Sequence, residues 1–484
     1  MPVLPSISFL LNREPINLTA AAPGRLLLDY LRRDLRKVGT KEGCREGDCG
    51  ACGVLIGELG AGGQVTYRAV PSCMVLLGHL QGRHVVTIEG INLGEGLSPV
   101  QSAVVEHGAS QCGFCTPGFI VSFTGFLLNA TEFTVEEATT AIAGNLCRCT
   151  GYVSLVRAGA SIAKQFDKLT PPGPKRIETL LAAGALSSTF ADVATRLREL
   201  PPGESACSDS ALLVGGGTDL IVQRGATLDD AVPTIHFPSE EQRKLRLDGD
   251  TLRIPAAATF EDLLRSDLFT GLWPNAKADL DRFASALIRE RATVAGNIAN
   301  ASPIADGTAI FLALEATLEI DSPSNPNGSR TLPLSQFFLG YKQLALTSGE
   351  RITSICIPHS QSKLRKFSFE KVSKREFLDI ATVNTALSSV VHEGVFSEVI
   401  LSAGGVGPIP MLLIKTAESL RGEKVAPAAL LAAAAVLDTE IAPISDVRGS
   451  ADYKRLLLRQ LFFAHFLTLY PDQITELSLL EVSR

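Results

Sequence analysis

The sequence predicts a multidomain α+β protein, because its length and its changing hydrophobic period rule out a single compact fold. Its 484 residues exceed the roughly 250–300 that one hydrophobic core usually supports. Residues 1–90 contain short runs of alternating apolar and polar residues, as strands do, whereas residues 91–167 follow a helical period. A mixed pattern of short strands and helices runs through the remainder. With 45% hydrophobic and 20% charged residues, the composition is that of an ordinary globular protein.

The first 90 residues predict a small sheet crossed by one helix. Ile7, Phe9 and Leu11 alternate before a turn, which predicts a β-hairpin. Residues 25–36 place four leucines on one helical face. Three further strands are predicted at 54–56, 65–67 and 85–88.

The next segment predicts a bundle of four helices. One helix begins at Ser98, a capping residue followed by proline, and another at Thr134, which opens a capping box. The other two are predicted at 117–128 and 152–166.

The remaining chain predicts a linker and two further folded parts. Three prolines in residues 169–175 predict a semi-rigid linker over 168–178. A mixed α/β region follows, then an α+β segment that starts with a strand at 366–369 and includes a core helix at 428–437. The predicted domains are therefore 1–90, 91–167, 179–360 and 361–484.

Charge and hydropathy exclude several classes of partner. The net charge of −6 gives no overall attraction to nucleic acid or to anionic lipid. The N-terminus lacks the basic start of a secretory signal, and the longest apolar runs fall short of the ~20 residues that a membrane span needs. We therefore expect a cytoplasmic protein with neither a nucleic-acid nor a membrane partner.

The first cysteine group has the spacing of a plant-type [2Fe–2S] site. Four cysteines follow the pattern C-x4-C-x2-C…C, and the glycines between them let the loop wrap closely around a cluster and aim N–H groups at its sulfides. A structural four-cysteine zinc site is the alternative, although zinc sites usually pair two short hooks. The predicted ligands are Cys44, Cys49, Cys52 and Cys73.

A second cysteine group has the pattern C-x2-C-x31-C-x-C. Two such hooks at helix ends can converge on one metal centre, so the spacing alone leaves zinc and an iron–sulfur cluster open. The predicted ligands are Cys112, Cys115, Cys147 and Cys149.

The cysteine motifs, taken in order, resemble the iron–sulfur half of the xanthine dehydrogenase family of molybdenum hydroxylases. They read EGCREGDCGACGV, QCGFCTPGF and GNLCRCTGY, and the resemblance covers residues 5–165. It implies a β-grasp ferredoxin-like domain and a helical bundle, each with one [2Fe–2S] cluster. The β-grasp cluster would be nearer a flavin and the bundle cluster nearer a molybdenum cofactor. Gln111 and Cys149 would approach the pterin of that cofactor on a partner subunit.

A glycine turn starts the second half of the resemblance. An apolar strand runs into three consecutive glycines, which can present N–H groups to a diphosphate but lack both the Rossmann and the P-loop fingerprints. Alone, the pattern favours a plain glycine turn over a phosphate-binding one. Together with the small and polar residues of 291–306, it resembles the family's FAD domain, of the carbon monoxide dehydrogenase flavoprotein type, over about residues 176–470.

The resemblance assigns flavin contacts residue by residue. One group would hold the pyrophosphate and ribityl chain: Leu213, Val214, Gly215, Gly216, Gly217, Thr218, Asp219 and Leu220. A second group would line the other side: Thr293, Val294, Ala295, Gly296 and Asn297.

Four single residues complete the implied flavin site. Asp306 would bind a sugar or phosphate-bridging hydroxyl, and Ile352 would contact the adenine end through its backbone. Phe283 would pack on the isoalloxazine and Lys371 would contact the flavin; the alternatives are a core phenylalanine and a surface lysine. Leu378 stands where many relatives have an acidic residue, which leaves NAD and oxygen open as electron acceptors.

The resemblance implies an oxidoreductase chain that passes electrons from molybdenum through both clusters to FAD and on to NAD⁺. Because the sequence ends at Arg484, soon after the flavin region, we expect a separate large molybdenum subunit, in a heterodimer that itself dimerises. Hypoxanthine and xanthine are the expected substrates. The alternatives are an aldehyde or N-heterocycle hydroxylase, a stand-alone NAD-linked reductase, and a zinc-stabilised adaptor without catalysis.

Overall fold

The computed structural model describes residues 6–19, 22–169, 174–202, 212–228, 233–322, 328–359 and 365–482. The chain divides into two compact units. Unit 1 comprises Met1–Gln242 together with Ser285–Ala292, and unit 2 comprises Arg243–Ala284 together with Thr293–Arg484.

Unit 1 opens with a five-stranded mixed sheet, which confirms the predicted hairpin and small sheet. Its strand order is β2-β1-β5-β3-β4, with β1 and β5 parallel and the other pairs antiparallel. Phe9 and Val54 of the sheet pack in one buried core with Leu27 and Leu31 of the crossing segment. The strands are β1 Ile7–Leu11, β2 Glu14–Leu18, β3 Gly53–Leu59, β4 Val65–Pro71 and β5 His84–Val86.

Two predictions in this domain need correction. The helix predicted over 25–36 is a short α-helix, Leu27–Asp29, that widens into a π-helical stretch, Tyr30–Asp34. The strand predicted to reach residue 88 ends at Val86, because the Thr87 N–H donates to the Asn12 side chain at 2.9 Å and the chain then turns into a helix, Ile88–Ile91.

The four-helix bundle is confirmed. The central helix, Thr116–Asn129, is buried along most of its length, and Phe119 and Phe123 share a core with residues of the other three helices. The others are Pro99–Glu106, Val135–Ala141 and Val153–Gln165.

The rest of unit 1 contains short helices and one pair of parallel strands, β6 Leu213–Val214 and β7 Thr234–Ile235. Of the predicted linker, residues 170–173 lie outside the described residues, and a helix already begins at Pro174, since proline is tolerated at the first helical position. The helices here are Pro174–Ala182, Val193–Arg198, Thr218–Leu228, Glu240–Arg243 and the returning Ala286–Arg289.

Unit 2 begins with an antiparallel five-stranded sheet of order β11-β10-β14-β9-β8 and a two-stranded ribbon, β12-β13. Its strands are β8 Arg246–Asp248, β9 Thr251–Pro255, β10 Thr317–Asp321, β11 Arg330–Pro333, β12 Phe338–Gly340, β13 Gln343–Leu344 and β14 Arg351–Pro358. The accompanying helices are Phe260–Leu264, Asp267–Thr270, Ala276–Asp281, Val294–Ala299 and Asp306–Ala313.

Unit 2 ends in an antiparallel sheet of order β15-β16-β17-β18, followed by helices. The predicted strand at 366–369 and core helix at 428–437 are both present, the helix burying Leu430, Ala433 and Leu437. The strands are β15 Lys366–Val372, β16 Val383–His392, β17 Val395–Gly404 and β18 Met411–Leu412. The helices are Ile414–Leu420, Pro427–Glu440, Ala451–Leu469 and Glu476–Val482.

Candidate functional site

The first cysteine group is assembled by a loop and by the turn that follows β4. Cys44, Cys49 and Cys52 lie on the loop before β3, and Cys73 lies in a 3₁₀ turn, Ser72–Met74. Ser72 fastens the turn to the loop, since its N–H and hydroxyl donate to the Cys52 carbonyl at 3.1 and 2.8 Å. The Cys52 and Cys73 sulfurs, both buried, are 3.4 Å apart.

Backbone N–H groups point at the sulfurs of this loop. Glu46 and Asp48 donate to the Cys44 sulfur at 3.5 and 3.3 Å, and the Cys44 N–H donates to the Cys49 sulfur at 3.4 Å. The side-chain hydrogen bond between Cys44 and Cys49 lowers the pKa of the Cys49 thiol to about 6 and raises the pKa of the Cys44 thiol. The backbone N–H groups that donate to these sulfurs stabilise thiolates, the metal-binding form of cysteine.

The second cysteine group lies at the open end of the bundle. Cys112 and Cys149 are exposed, with their sulfurs 3.7 Å apart, and burial together with the neighbouring Cys147 raises the pKa of the Cys115 thiol to about 12. The Thr150 hydroxyl donates to the Cys147 sulfur at 3.2 Å. Gln111, next to Cys112, is exposed too, so the residues predicted to approach a partner's pterin are accessible in this chain.

The thiols meet in pairs, which fits a two-iron cluster. A tetrahedral metal–sulfur bond of about 2.3 Å places two thiolates on one metal about 3.7 Å apart, close to the separations of the Cys52–Cys73 and Cys112–Cys149 pairs. In a [2Fe–2S] cluster each iron takes two cysteines, whereas a structural zinc ion needs four ligands at one point.

The two cysteine loops are in direct contact through Asn145, a residue that no sequence motif predicts. The Asn145 amide donates to the Gly50 carbonyl at 3.2 Å and accepts from the Ser122 hydroxyl at 2.7 Å, all buried. The next N–H, of Leu146, donates to the Cys49 carbonyl at 3.0 Å. One hydrogen bond therefore joins a predicted ligand of the first group to the residue before Cys147.

Replacing Asn145 by leucine should loosen this junction. The change keeps the volume but removes two buried hydrogen bonds, at an expected cost of about 2 kcal/mol in the free energy of unfolding. Urea unfolding of the intact chain measures the loss, and cluster EPR spectra should broaden.

Asn129 offers the matched control, because it also bridges the bundle to the sheet, donating to the Tyr67 and Gly125 carbonyls at 2.9 Å each. Asn129→Leu should cost a similar free energy without altering the spectra. Identical spectral changes in both variants would rule out a specific role for Asn145.

The glycine turn predicted to hold the flavin phosphates lies between β6 and the helix Thr218–Leu228. A Cβ on Gly216 would stand 1.6 Å from the Arg291 carbonyl oxygen, and Gly217 has a φ of +80°. Both positions therefore require glycine. Val214 and Ile221, on either side of the turn, share a buried cluster with Cys52 and Cys73, so the turn adjoins the first cysteine group inside unit 1.

Within unit 2 the structure brings together three of the predicted flavin contacts. The Lys371 ammonium donates to Asp306 at 2.7 Å and lies 6.0 Å from the Phe283 ring centre. The Lys371 side chain is fully buried, which excludes the alternative of a surface lysine. Asp306 also accepts from Asn384 at 2.6 Å.

Phe283, one member of this group, is buried and packs edge-on against Phe260 and Phe369. Two other predicted flavin contacts of unit 2 lie on other elements. Thr293 caps the short helix Val294–Ala299 through Gly296, and Ile352 lies in the five-stranded sheet.

The loop that contains Leu378 contacts Ala284 and Lys371, in the same part of unit 2. Leu378 is buried with a φ of +52°, and its N–H donates to the Ala284 carbonyl at 2.8 Å. The Asp379 carbonyl accepts from the Lys371 ammonium at 3.0 Å. The residue that departs from the family pattern is therefore part of a constrained turn beside Lys371.

Four protein-family profiles match the chain in succession. They are a 2Fe-2S iron-sulfur cluster binding domain over residues 9–76, a [2Fe-2S] binding domain over 87–160, an FAD binding domain in molybdopterin dehydrogenase over 188–360 and a CO dehydrogenase flavoprotein C-terminal domain over 368–469. The chain thus carries two [2Fe–2S] domains and an FAD-binding domain.

Similar proteins include xanthine dehydrogenase 1 of Arabidopsis thaliana, 28% identical over 91% of this chain and 38% of that protein. Aldehyde oxidase 4 of Cavia porcellus is 27% identical over 96% of this chain and 40% of that protein. The chain therefore spans about two fifths of the length of these relatives.

A similar solved structure is that of a carbon monoxide dehydrogenase from Hydrogenophaga pseudoflava that lacks the Mo-pyranopterin moiety of the molybdenum cofactor. It matches with a TM-score of 0.50 and 27% identity, over 55% of this chain and 92% of that one. Within the described part of this chain, no helix combines the length and the apolar character that crossing a membrane requires.

Proposed function

Because this chain carries the iron–sulfur and flavin domains of the molybdenum hydroxylase family, we propose that it is the electron-transfer subunit of a xanthine dehydrogenase. Its partner would be a large subunit with the molybdenum cofactor, on which hypoxanthine and xanthine are oxidised, and its electron acceptor would be NAD⁺. When bound, the clusters supply one-electron carriers and FAD links single electrons to hydride transfer.

The observation that carries the proposal is the order of the two cysteine groups inside unit 1. Cys112 and Cys149 are exposed, where a partner subunit can reach them, whereas Cys52 and Cys73 are buried beside Val214 and Ile221 of the glycine turn. The Leu146–Cys49 hydrogen bond joins the two groups. This order supports a path from the partner through the bundle and the β-grasp domain to the flavin.

The side chains of this subunit position the cofactors. The eight cysteines would hold the clusters, and the N–H groups of Glu46 and Asp48 would stabilise negative charge on the first one. Residues Leu213–Leu220 would present backbone N–H groups to the FAD diphosphate. In unit 2, Asp306 and Lys371 would provide the predicted sugar and flavin contacts, with Asn384 holding the Asp306 carboxylate in place.

Reducing the cofactors with substrate through the partner subunit, and separately with NADH, tests the proposal. The chain should copurify with a molybdenum-containing subunit, and anaerobic xanthine should bleach the flavin and cluster absorbance only when that subunit is present. NADH should bleach the isolated chain without it. If an aldehyde but not xanthine bleaches the complex, the substrate is an aldehyde and the xanthine assignment is wrong. If NADH does not bleach the chain, NAD⁺ is not its electron acceptor. Copurification without molybdenum would contradict the whole assignment.

A further inference from the structure

His79 links the cysteine domain to the glycine turn, although it belongs neither to the cysteine groups nor to the turn itself. It lies in a 3₁₀ turn, Leu77–Leu80, six residues after Cys73, and it is fully buried. Its Nδ1 accepts from the Leu76 N–H at 3.1 Å, and its Nε2 lies 2.7 Å from the Gly215 carbonyl oxygen.

Burial and these two contacts determine the charge and the tautomer of the His79 ring. Burial holds the pKa of His79 well below its usual range, so the imidazole is neutral and carries one proton. Because Nδ1 accepts a hydrogen bond, the proton is on Nε2, which donates to Gly215.

The hydrogen bond to Gly215 sets the direction of the next N–H group. In a planar trans peptide the C=O and the following N–H point to opposite sides, so holding the Gly215 carbonyl toward His79 turns the Gly216 N–H away from it. Arg291 acts likewise one residue later, donating to the Gly216 carbonyl at 3.3 Å. Two successive N–H groups of the turn are therefore aimed away from the protein groups that hold the carbonyls.

We propose that His79 is a positioning residue that presents the N–H groups of the glycine turn to the diphosphate of FAD. The inference rests on the proposed role of Leu213–Leu220 as the phosphate-holding element. His79 would also tie that element to the turn that supplies Cys73, so that the flavin and the first cluster are placed by one hydrogen-bonded connection.

Two substitutions separate the two hydrogen bonds of the ring. In His79→Asn the amide oxygen can replace Nδ1 and accept from Leu76, but the side chain is too short to reach Gly215. In His79→Gln the amide nitrogen can replace Nε2 and donate to Gly215. On the deflavinated full chain with its clusters, we expect His79→Asn to raise the FAD dissociation constant about tenfold, the value of one hydrogen bond, and His79→Gln to stay within about threefold of wild type.

Riboflavin and His84 provide the controls. Riboflavin keeps the ribityl chain but has no phosphate, so its dissociation constant should change less than that of FAD in His79→Asn. His84 is a buried histidine of the same domain that contacts the Tyr67 hydroxyl and the Asn12 carbonyl, at 2.7 and 2.8 Å, and not the glycine turn. His84→Asn should leave FAD affinity within about twofold of wild type. Unchanged FAD affinity in His79→Asn, or equal losses for FAD and riboflavin, would overturn the inference.

Gly216→Ala separates this inference from the proposed function. Its Cβ forces the turn away from Arg291 and should weaken FAD binding at least as much as His79→Asn. If Gly216→Ala binds FAD normally, the turn does not hold the diphosphate, and both proposals about it fail. If Gly216→Ala loses FAD while His79→Asn does not, only the role of His79 is wrong.

Discussion

Substituting Cys73 by alanine should remove one of the two cluster signals and leave the other intact. Cys73 is buried, its sulfur lies 3.4 Å from that of Cys52, and a [2Fe–2S] cluster with three cysteine ligands is poorly held. Iron should fall from about four to about two atoms per chain, since each cluster holds two. In the proposed complex, turnover from substrate to NAD⁺ should fall to background. Iron analysis and EPR of the dithionite-reduced chain measure both effects.

Two other cysteines serve as references for that substitution. Cys147→Ala should remove the other EPR signal and retain the one that Cys73→Ala loses. Cys356, on β14, belongs to neither group, so Cys356→Ala should keep all the iron. Loss of both EPR signals in Cys73→Ala would mean that the two cysteine groups do not form separate clusters.

Replacing Lys371 by methionine should destabilise unit 2 by about 3–5 kcal/mol, because it leaves the Asp306 carboxylate without its buried cation. The three donors of Lys371 hold Asp306, the Arg282 carbonyl and the Asp379 carbonyl at 2.7, 3.1 and 3.0 Å. The only tryptophan, Trp273, reports on this region, because its buried ring lies 4.6 Å from the ring of Phe367. Phe367 lies on β15, the strand that also carries Lys371. Urea unfolding followed by tryptophan fluorescence measures the change.

The same strand supplies the control for Lys371. Lys366 is exposed and donates to the Leu469 carbonyl, so Lys366→Met should cost less than about 1 kcal/mol. Adding Asp306→Asn to Lys371→Met should recover at least about 1 kcal/mol, since the double variant no longer buries an unpaired charge. If Lys366→Met and Lys371→Met lower the free energy of unfolding equally, the buried ion pair stabilises the protein no more than the exposed lysine does.

The sequence predicted the elements whose cause is local. The strands of the small sheet and the four bundle helices follow from period-two and helical patterns and from caps such as Ser98 and Thr134, and the structure contains them. The helix predicted over 25–36 is present but shorter and partly π-helical, because leucines at helical spacing are compatible with both an α and a π turn. Here the Leu35 N–H reaches back five residues to the Tyr30 carbonyl.

The candidate site can be predicted where the type of side chain indicates its chemistry, and it cannot where backbone contacts decide the arrangement. The spacing of eight cysteines predicts metal binding. Asn145 and His79 act on the carbonyls of Gly50 and Gly215, which lie 95 and 136 residues away in sequence, and any residue has a carbonyl. Such contacts leave no pattern in one sequence, so only the folded chain reveals them.

Iron and acid-labile sulfide analysis of the chain, purified anaerobically and combined with metal analysis for zinc, tests the account most directly. Two paired sets of four thiols predict about four iron and four sulfide per chain and two distinct EPR signals after reduction. Zinc in place of iron, with no labile sulfide, would contradict both cluster assignments and the electron path that depends on them.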